Sequence, residues 1–413
     1  MNALSSNNIR YIGPATSKGL ELADIVRAHG YAYQERHALS DEQRDVLWDV
    51  EHCRTDVMGG YIEECDDCGT LRVGYNSCRN RHCPKCQRLA QETWLSQQAS
   101  QLLPIEYFHV VFTLPHDLNR LIRFNKRVCY DLLFKTVTQT LQQFARCTWD
   151  GQLGITCVLH TWGQSLCEHV HLHCVVTGGA LREDGSRFIR CPSGFLFSVK
   201  ALGVVFRAKY VQGLFKRYRD DKLHFPGELG QYADEGSFLR YLGGLPKKRF
   251  VVYSKGSFAD PSSVLEYLGR YTHRIAISNG RLLSLSAGKV TFRYKDYRAD
   301  GQIKELCLPV DTFLSRYLSH VLPKGYVRIR HFGLVSPGCR RDKLSRCRAL
   351  LGATAPVVAA YSTAELMYKV TGMDISVCPS CGRGKMQRRW EFSPGLSPPM
   401  YRMRSVSGYV KSA

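Results

Sequence analysis

An α+β fold with a central antiparallel sheet is what this sequence predicts, and three observations predict it. Short runs alternate in character with period two, most clearly His169-Val170-His171-Leu172-His173-Cys174-Val175-Val176, which is the side-chain repeat of a strand. Strands come first, then a long helical stretch, then further hairpins, an order that favours segregated helices over βαβ units. Turn dipeptides Asn279-Gly280 and Ala287-Gly288 read as hairpin turns, which join antiparallel neighbours.

The elements follow in order. Ser40-Asp41-Glu42-Gln43 opens a helix, with Ser40 as N-cap and Gln43 placed to close a capping box. A cysteine-rich stretch follows, then an amphipathic helix near 87–103. Tyr107-Phe108-His109-Val110-Val111-Phe112-Thr113 is a β-rich run ended by Pro115, and a long helical pattern covers 117–146 with Leu118, Ile122, Leu132 and Leu133 on one side. Strands are expected over 154–163 and 170–176, a loop-rich excursion around Gly178-Gly179 and Asp184-Gly185, a helix over 199–219 and a strand over 249–253. Asp260-Pro261 starts another helix, with Pro in its first turn. Three consecutive parts result: residues 1–103, 104–310 and a basic region 311–413.

The chain has 413 residues, a net charge of +21 and 17 cysteines. It is long enough to bury two or three cores. Residues 301–413 hold 18 Lys+Arg against 6 Asp+Glu, which is +12 of the total. Such a surplus favours an anionic polymer, nucleic acid first, as partner. No apolar stretch of spanning length and no leader-like N-terminus occurs, so a cytoplasmic, non-membrane protein is expected. In that compartment clustered cysteines point to metal or burial before disulfides.

Cys65-Asp66-Asp67-Cys68 and Cys83-Pro84-Lys85-Cys86 are two Cys-x-x-Cys knuckles. Each supplies two thiolates from one turn, so Cys65, Cys68, Cys83 and Cys86 are expected to close a structural Zn2+ site together. Cys53, Cys78 and His82 lie close enough in sequence to form a second site or exchange with these, and the later knuckle Cys378-Pro379-Ser380-Cys381 is a further candidate. Arg79, Arg81 and Lys85, interleaved with the ligands, suit phosphate contacts. On the alternating strand, His169, His171 and His173 share one face while Val170, Leu172 and Cys174 enter the core. His171 and His173 side by side bind a divalent cation, completed from the preceding strand by Gln164 or His160. Tyr267 and Tyr271 fall on one face of the following helix, as do Arg270 and Arg274. A phenol attacks phosphorus once its proton is removed and the phosphate charge neutralised. The run Lys289–Lys295 alternates as well, placing Arg293 and Lys295 on a cationic face suited to DNA.

A His-hydrophobic-His strand followed by Tyr-x-x-x-Tyr on a helix resembles the signature of the HUH single-strand endonucleases. With Ser77-Cys78-Arg79-Asn80-Arg81-His82-Cys83-Pro84-Lys85-Cys86, His160-Thr161-Trp162-Gly163-Gln164, Tyr267-Leu268-Gly269-Arg270-Tyr271-Thr272-His273-Arg274 and His331-Phe332-Gly333-Leu334, the whole resembles the IS91-like rolling-circle transposases over about residues 20–390. One departure is Tyr61, after Gly59-Gly60, where the resemblance leads one to expect a His. The resemblance implies a central HUH nuclease domain between a zinc-binding helical module and a basic C-terminal region. It implies that His171 and His173 hold Mg2+ or Mn2+, and that Tyr267 and Tyr271 are nucleophiles giving a 5′-phosphotyrosine link and a free 3′-OH. The partners implied are single-stranded DNA at transposon ends and target DNA, in the bacterial nucleoid. A replication initiator using the same chemistry, or a zinc-containing DNA-binding regulator without catalysis, shares many of these features.

Overall fold

The computed structural model describes residues 11–12, 19–245, 250–258, 263–264, 269, 272–297, 299–354 and 361–395. In chain order its strands are β1 (Tyr11–Ile12), β2 (Gly60–Cys65), β3 (Leu71–Tyr75), β4 (Tyr107–Thr113) and β5 (Gly151–Gln152). Next come β6 (Gly154–Trp162), β7 (Glu168–Thr177), β8 (Gly179–Arg182), β9 (Phe188–Arg190) and β10 (Val251–Phe258). The last are β11 (Leu282–Ser286), β12 (Lys289–Asp296), β13 (Gln302–Pro309), β14 (Ile329–Gly333) and β15 (Met386–Phe392). The antiparallel α+β expectation holds: among these strands every pairing but that of β1 with β3 is antiparallel.

The division into three consecutive parts does not hold. The chain forms two compact units, each built from separated stretches. One comprises 1–93, 277–314 and 360–413; the other comprises 94–276 and 315–359. The reason is strand pairing, since β15, near the C-terminus, lies against β2 in the order β1-β3-β2-β15, with Phe392 opposite Gly60. Ile62, Val73 and Phe392 bury together beneath that sheet.

In the first unit, helices Leu22–Arg36 and Asp41–His52 bury Leu22, Ile25, Val26, Val46, Leu47 and Val50. Ser40 caps the second as expected: its hydroxyl accepts from the Gln43 amide and the Gln43 side chain accepts from the Ser40 amide. Ala287-Gly288 is a hairpin turn between β11 and β12 with both φ positive, as a type I′ turn requires. Asn279-Gly280 is not a hairpin turn. It forms a short 3-10 segment, Asn279–Arg281, whose Asn279 side chain accepts a hydrogen bond from the Leu22 amide at the start of the first helix. Tyr61, the departure noted above, lies on β2 with the Arg388 guanidinium 3.9 Å above its ring.

The second unit is built on the sheet β10-β4-β7-β6-β14. Helices Lys126–Trp149 and Val199–Arg219 cover one face, where Phe112, Leu159, Leu172, Cys174 and Val176 join Leu133, Val137, Phe206 and Tyr210 in the main core. The helix expected over 117–146 is interrupted at Asn125 (φ −129°). Its side chain donates to the carbonyls of Leu121 and His224 and accepts from the His224 amide. These bonds hold Asn125 out of the helical path.

Candidate metal centre and cysteine clusters

β7 is the middle strand of its sheet, between β4 and β6. Val170, Leu172 and Cys174 point into the core as the alternation predicts. The opposite face therefore carries His169, His171 and His173. Register places His171 opposite Thr113 on one side and His160 on the other, and His173 opposite Val111 and Val158. The ring nitrogens of His160, His171 and His173 come within 4.8 Å of one another. His160, one of the two completing residues expected, is in this group, and Gln164, the other, sits in the turn between β6 and β7. His169 is outside the group, its ring beside that of His116.

Protonation at the centre is set by burial and hydrogen bonds. His171 Nδ1–H donates to the His169 carbonyl at 2.7 Å, which leaves Nε2 as a lone pair. That nitrogen lies 3.0 Å from His173 Nε2. His173 therefore donates from Nε2, and its Nδ1, 2.9 Å from His109 Nε2, accepts from that ring. Burial, with the neighbouring charges of His169 and Arg274, pulls His171 down to about 3. Burial beside His160 and His171 holds His173 well below its ordinary value. Both rings are therefore neutral near pH 7, the form that ligates a metal. His109 was not singled out in the sequence. The available signal was its place on the Tyr107–Thr113 strand, two residues from Val111 and so on the same face as it.

The six N-terminal cysteines are not partitioned as expected. Cys65 and Cys68 do not join Cys83 and Cys86. Instead, Cys53, Cys78, Cys83 and Cys86 converge, as do Cys65, Cys68, Cys378 and Cys381. His82 belongs to neither group; its amide donates to the Asn80 side chain. In the first group Cys86 Sγ lies 3.5 Å from Cys53 Sγ and 3.6 Å from Cys78 Sγ. Tetrahedral thiolates at ~2.3 Å from zinc stand about 3.8 Å apart. Hydrogen bonds from Cys53, Cys78 and Cys83 hold the Cys86 thiol down, and the Thr70 hydroxyl and amide pull Cys68 to about 6.

The basic residues divide as well. Lys85 is half-buried in an ion pair with Glu21, and Arg79 takes a left-handed turn conformation (φ 55°) between the ligands. Arg81 is partly buried beside them. Arg293 and Lys295 are exposed on one face of β12, with Lys295 over the Tyr297 ring. Arg274 lies close enough to act on both His171 and His173, and its carbonyl accepts from Arg328. Tyr267, Arg270 and Tyr271 lie outside the described residues. Among the described residues no helix is long and apolar enough to cross a membrane.

Comparison with known proteins identifies two matching regions in the chain. Residues 154–343, which contain the histidine strand, match the family described as “Putative transposase” (Y2_Tnp). Residues 25–114, which contain six of the clustered cysteines, match the IS91-type transposase zinc-binding domain. The chain is 42% identical over 388 residues to “Putative transposase y4qJ” of Sinorhizobium fredii, covering 92% of this chain and 98% of that one. It is 27% identical over 329 residues to the transposase for insertion sequence element IS801 of Pseudomonas savastanoi, covering 78% of this chain and 77% of that one. No solved structure matches.

Proposed function

This chain belongs to the IS91-like transposases, and from that premise we propose that it nicks and rejoins single-stranded DNA at transposon ends by transesterification onto tyrosine. The observation that carries the proposal is the group of three imidazoles on the middle strands of an antiparallel sheet, two of them, His171 and His173, held neutral by burial, with the Arg274 cation beside it. The donor set fits a divalent metal, since two Nε2 atoms 3.0 Å apart converge where a cation would satisfy both. Imidazole ligands suit Mn2+ better than Mg2+, which prefers oxygen. Bound there, such an ion supplies Lewis-acid polarisation of a phosphate oxygen.

The residues of this chain do the rest. His160, His171 and His173 would hold the ion, with the His169 carbonyl and His109 orienting the rings. Arg274 neutralises charge on the phosphate. The phenol oxygen of Tyr267 or Tyr271 gives its proton to solvent and attacks phosphorus, the P–O3′ bond breaks, and the departing 3′-oxygen takes up a proton from solvent. A 5′-phosphotyrosine and a free 3′-OH result, and the reverse reaction rejoins a strand with no nucleotide hydrolysis. Two phenols would let one subunit hold one end while cutting another. Cys53, Cys78, Cys83 and Cys86 would hold a structural Zn2+, with Arg79, Arg81, Arg293 and Lys295 contacting phosphates.

The test is an adduct assay. An oligonucleotide carrying the transposon end, incubated with Mn2+, is expected to give a denaturation-resistant protein–DNA species with wild-type protein and none with Tyr267→Phe/Tyr271→Phe. If wild-type protein gives no adduct while binding the oligonucleotide as well as the double variant does, the nuclease reading fails.

A further inference from the structure

Two of the three knuckles are twins. Cys65-Asp66-Asp67-Cys68-Gly69 and Cys378-Pro379-Ser380-Cys381-Gly382 both end in glycine, at φ +66° and +69°. In each, the glycine amide donates back to the carbonyl of the first cysteine, at 3.1 and 2.9 Å. That is the left-handed closure which turns two sulfurs to one side of a tight loop. Cys83-Pro84-Lys85-Cys86 has no such glycine; Gln87 follows and begins a helix. The natural counterpart of the Cys65 knuckle is therefore at the other end of the chain.

We propose that Cys65, Cys68, Cys378 and Cys381 bind one structural Zn2+, separate from that of the Cys53 group. The paired sulfurs Cys65–Cys381 and Cys68–Cys378 stand 3.7 Å apart in both cases, and all four lie within 4.8 Å of one another. These separations suit the edges of a thiolate tetrahedron around zinc and are far from the ~2.05 Å of a disulfide. Backbone amides of Ser380 and Gly384 point at Cys378 Sγ and Cys381 Sγ, the outer hydrogen bonds that stabilise thiolate charge. Gly384 is the residue that permits the approach: a Cβ there would collide with Cys65 Sγ and Asp67. Pairing of β15 with β2 begins at Met386 opposite Cys65, and Asp66 binds the Lys385 amide through its side chain at 2.7 Å. The backbone thus sets the second knuckle beside the first. Zn2+ displaces four thiol protons to solvent and leaves a centre of net charge −2.

Two measurements on the full-length protein test this. Thiol alkylation read by mass spectrometry should leave Cys68 unmodified in native protein although it is exposed, while Cys147 and Cys167, also exposed, react. After removal of metal with a strong chelator, Cys65, Cys68, Cys378 and Cys381 should all become reactive. Cobalt substitution should give thiolate-to-Co2+ charge-transfer absorption that falls by about half in Cys378→Ser/Cys381→Ser and equally in Cys65→Ser/Cys68→Ser. The histidine centre contributes nothing to that band, having no sulfur. Alkylation of native Cys68 at the rate of Cys167, or undiminished absorption in both variants, overturns the proposal.

Discussion

His109 shows how much one neighbouring ring controls. Its Nε2 faces His173 Nδ1 at 2.9 Å. For His173 to offer Nε2 to a metal its proton must move to Nδ1, and His109 is the acceptor that receives that hydrogen bond. His109→Ala should weaken Mn2+ binding about 10–100-fold, the usual cost of losing such an outer partner, with the fold intact; titration calorimetry against wild-type protein checks it. His320 reports in a different way. It is buried, donates from Nε2 to the Leu166 carbonyl and meets the Thr161 hydroxyl through Nδ1. Burial pulls it to about 4, against ~6.5 in the unfolded chain. The unfolded state therefore binds the proton first. Stability from this residue is complete above about pH 6.5, is lost as pH falls towards 4, and changes no further below that. The loss is about 3 kcal/mol, and His320→Gln should flatten the pH dependence of the urea midpoint across that window.

Elements add constraints that single residues do not reveal. β14 ends at Gly333, at φ +64°, where a Cβ would overlap the Leu153 carbonyl oxygen. That oxygen already accepts from the Leu334 amide and the Gln142 side chain. Gly333→Ala should destabilise the protein by about 2–4 kcal/mol, since backbone strain and overlap add, read as a lowered denaturation midpoint with an unchanged slope. The same contrast between local and distant determinants explains what was legible in the sequence. The Ser40 cap, the helix over 199–219 and the two faces of β7 are written within a few consecutive residues, where periodicity and capping act. The partition of cysteines was not, because proximity in sequence favours Cys83 and Cys86 as partners of Cys65, whereas pairing of β15 with β2 selects Cys378 and Cys381. The glycine after each twin knuckle was the mark that could have matched them. Asn125 broke a continuous helical pattern through bonds to His224, 99 residues away, which no local pattern announces. Asn279 likewise looked like a turn residue but serves the first helix.

At the scale of the whole molecule, a charge of +21 makes DNA affinity a salt-sensitive quantity. Binding to a single-stranded oligonucleotide should fall linearly on a log–log plot with salt, by ~0.7 per phosphate neutralised. Substituting Arg293 and Lys295 together by alanine should lower that slope by about 1.4, as measured by fluorescence anisotropy across a salt series. Interleaving of chain segments has another consequence. Strand β2 has an open edge until β15 arrives to pair with it, and β15 is encoded more than three hundred residues later. At a synthesis rate of about 5–20 residues per second, that edge and its knuckle wait roughly 15–60 s on the ribosome. A message cut short before codon 378 would yield a histidine sheet with an N-terminal module lacking its fourth strand. The β2 edge is thus covered only once one of the last described strands of the chain has been made.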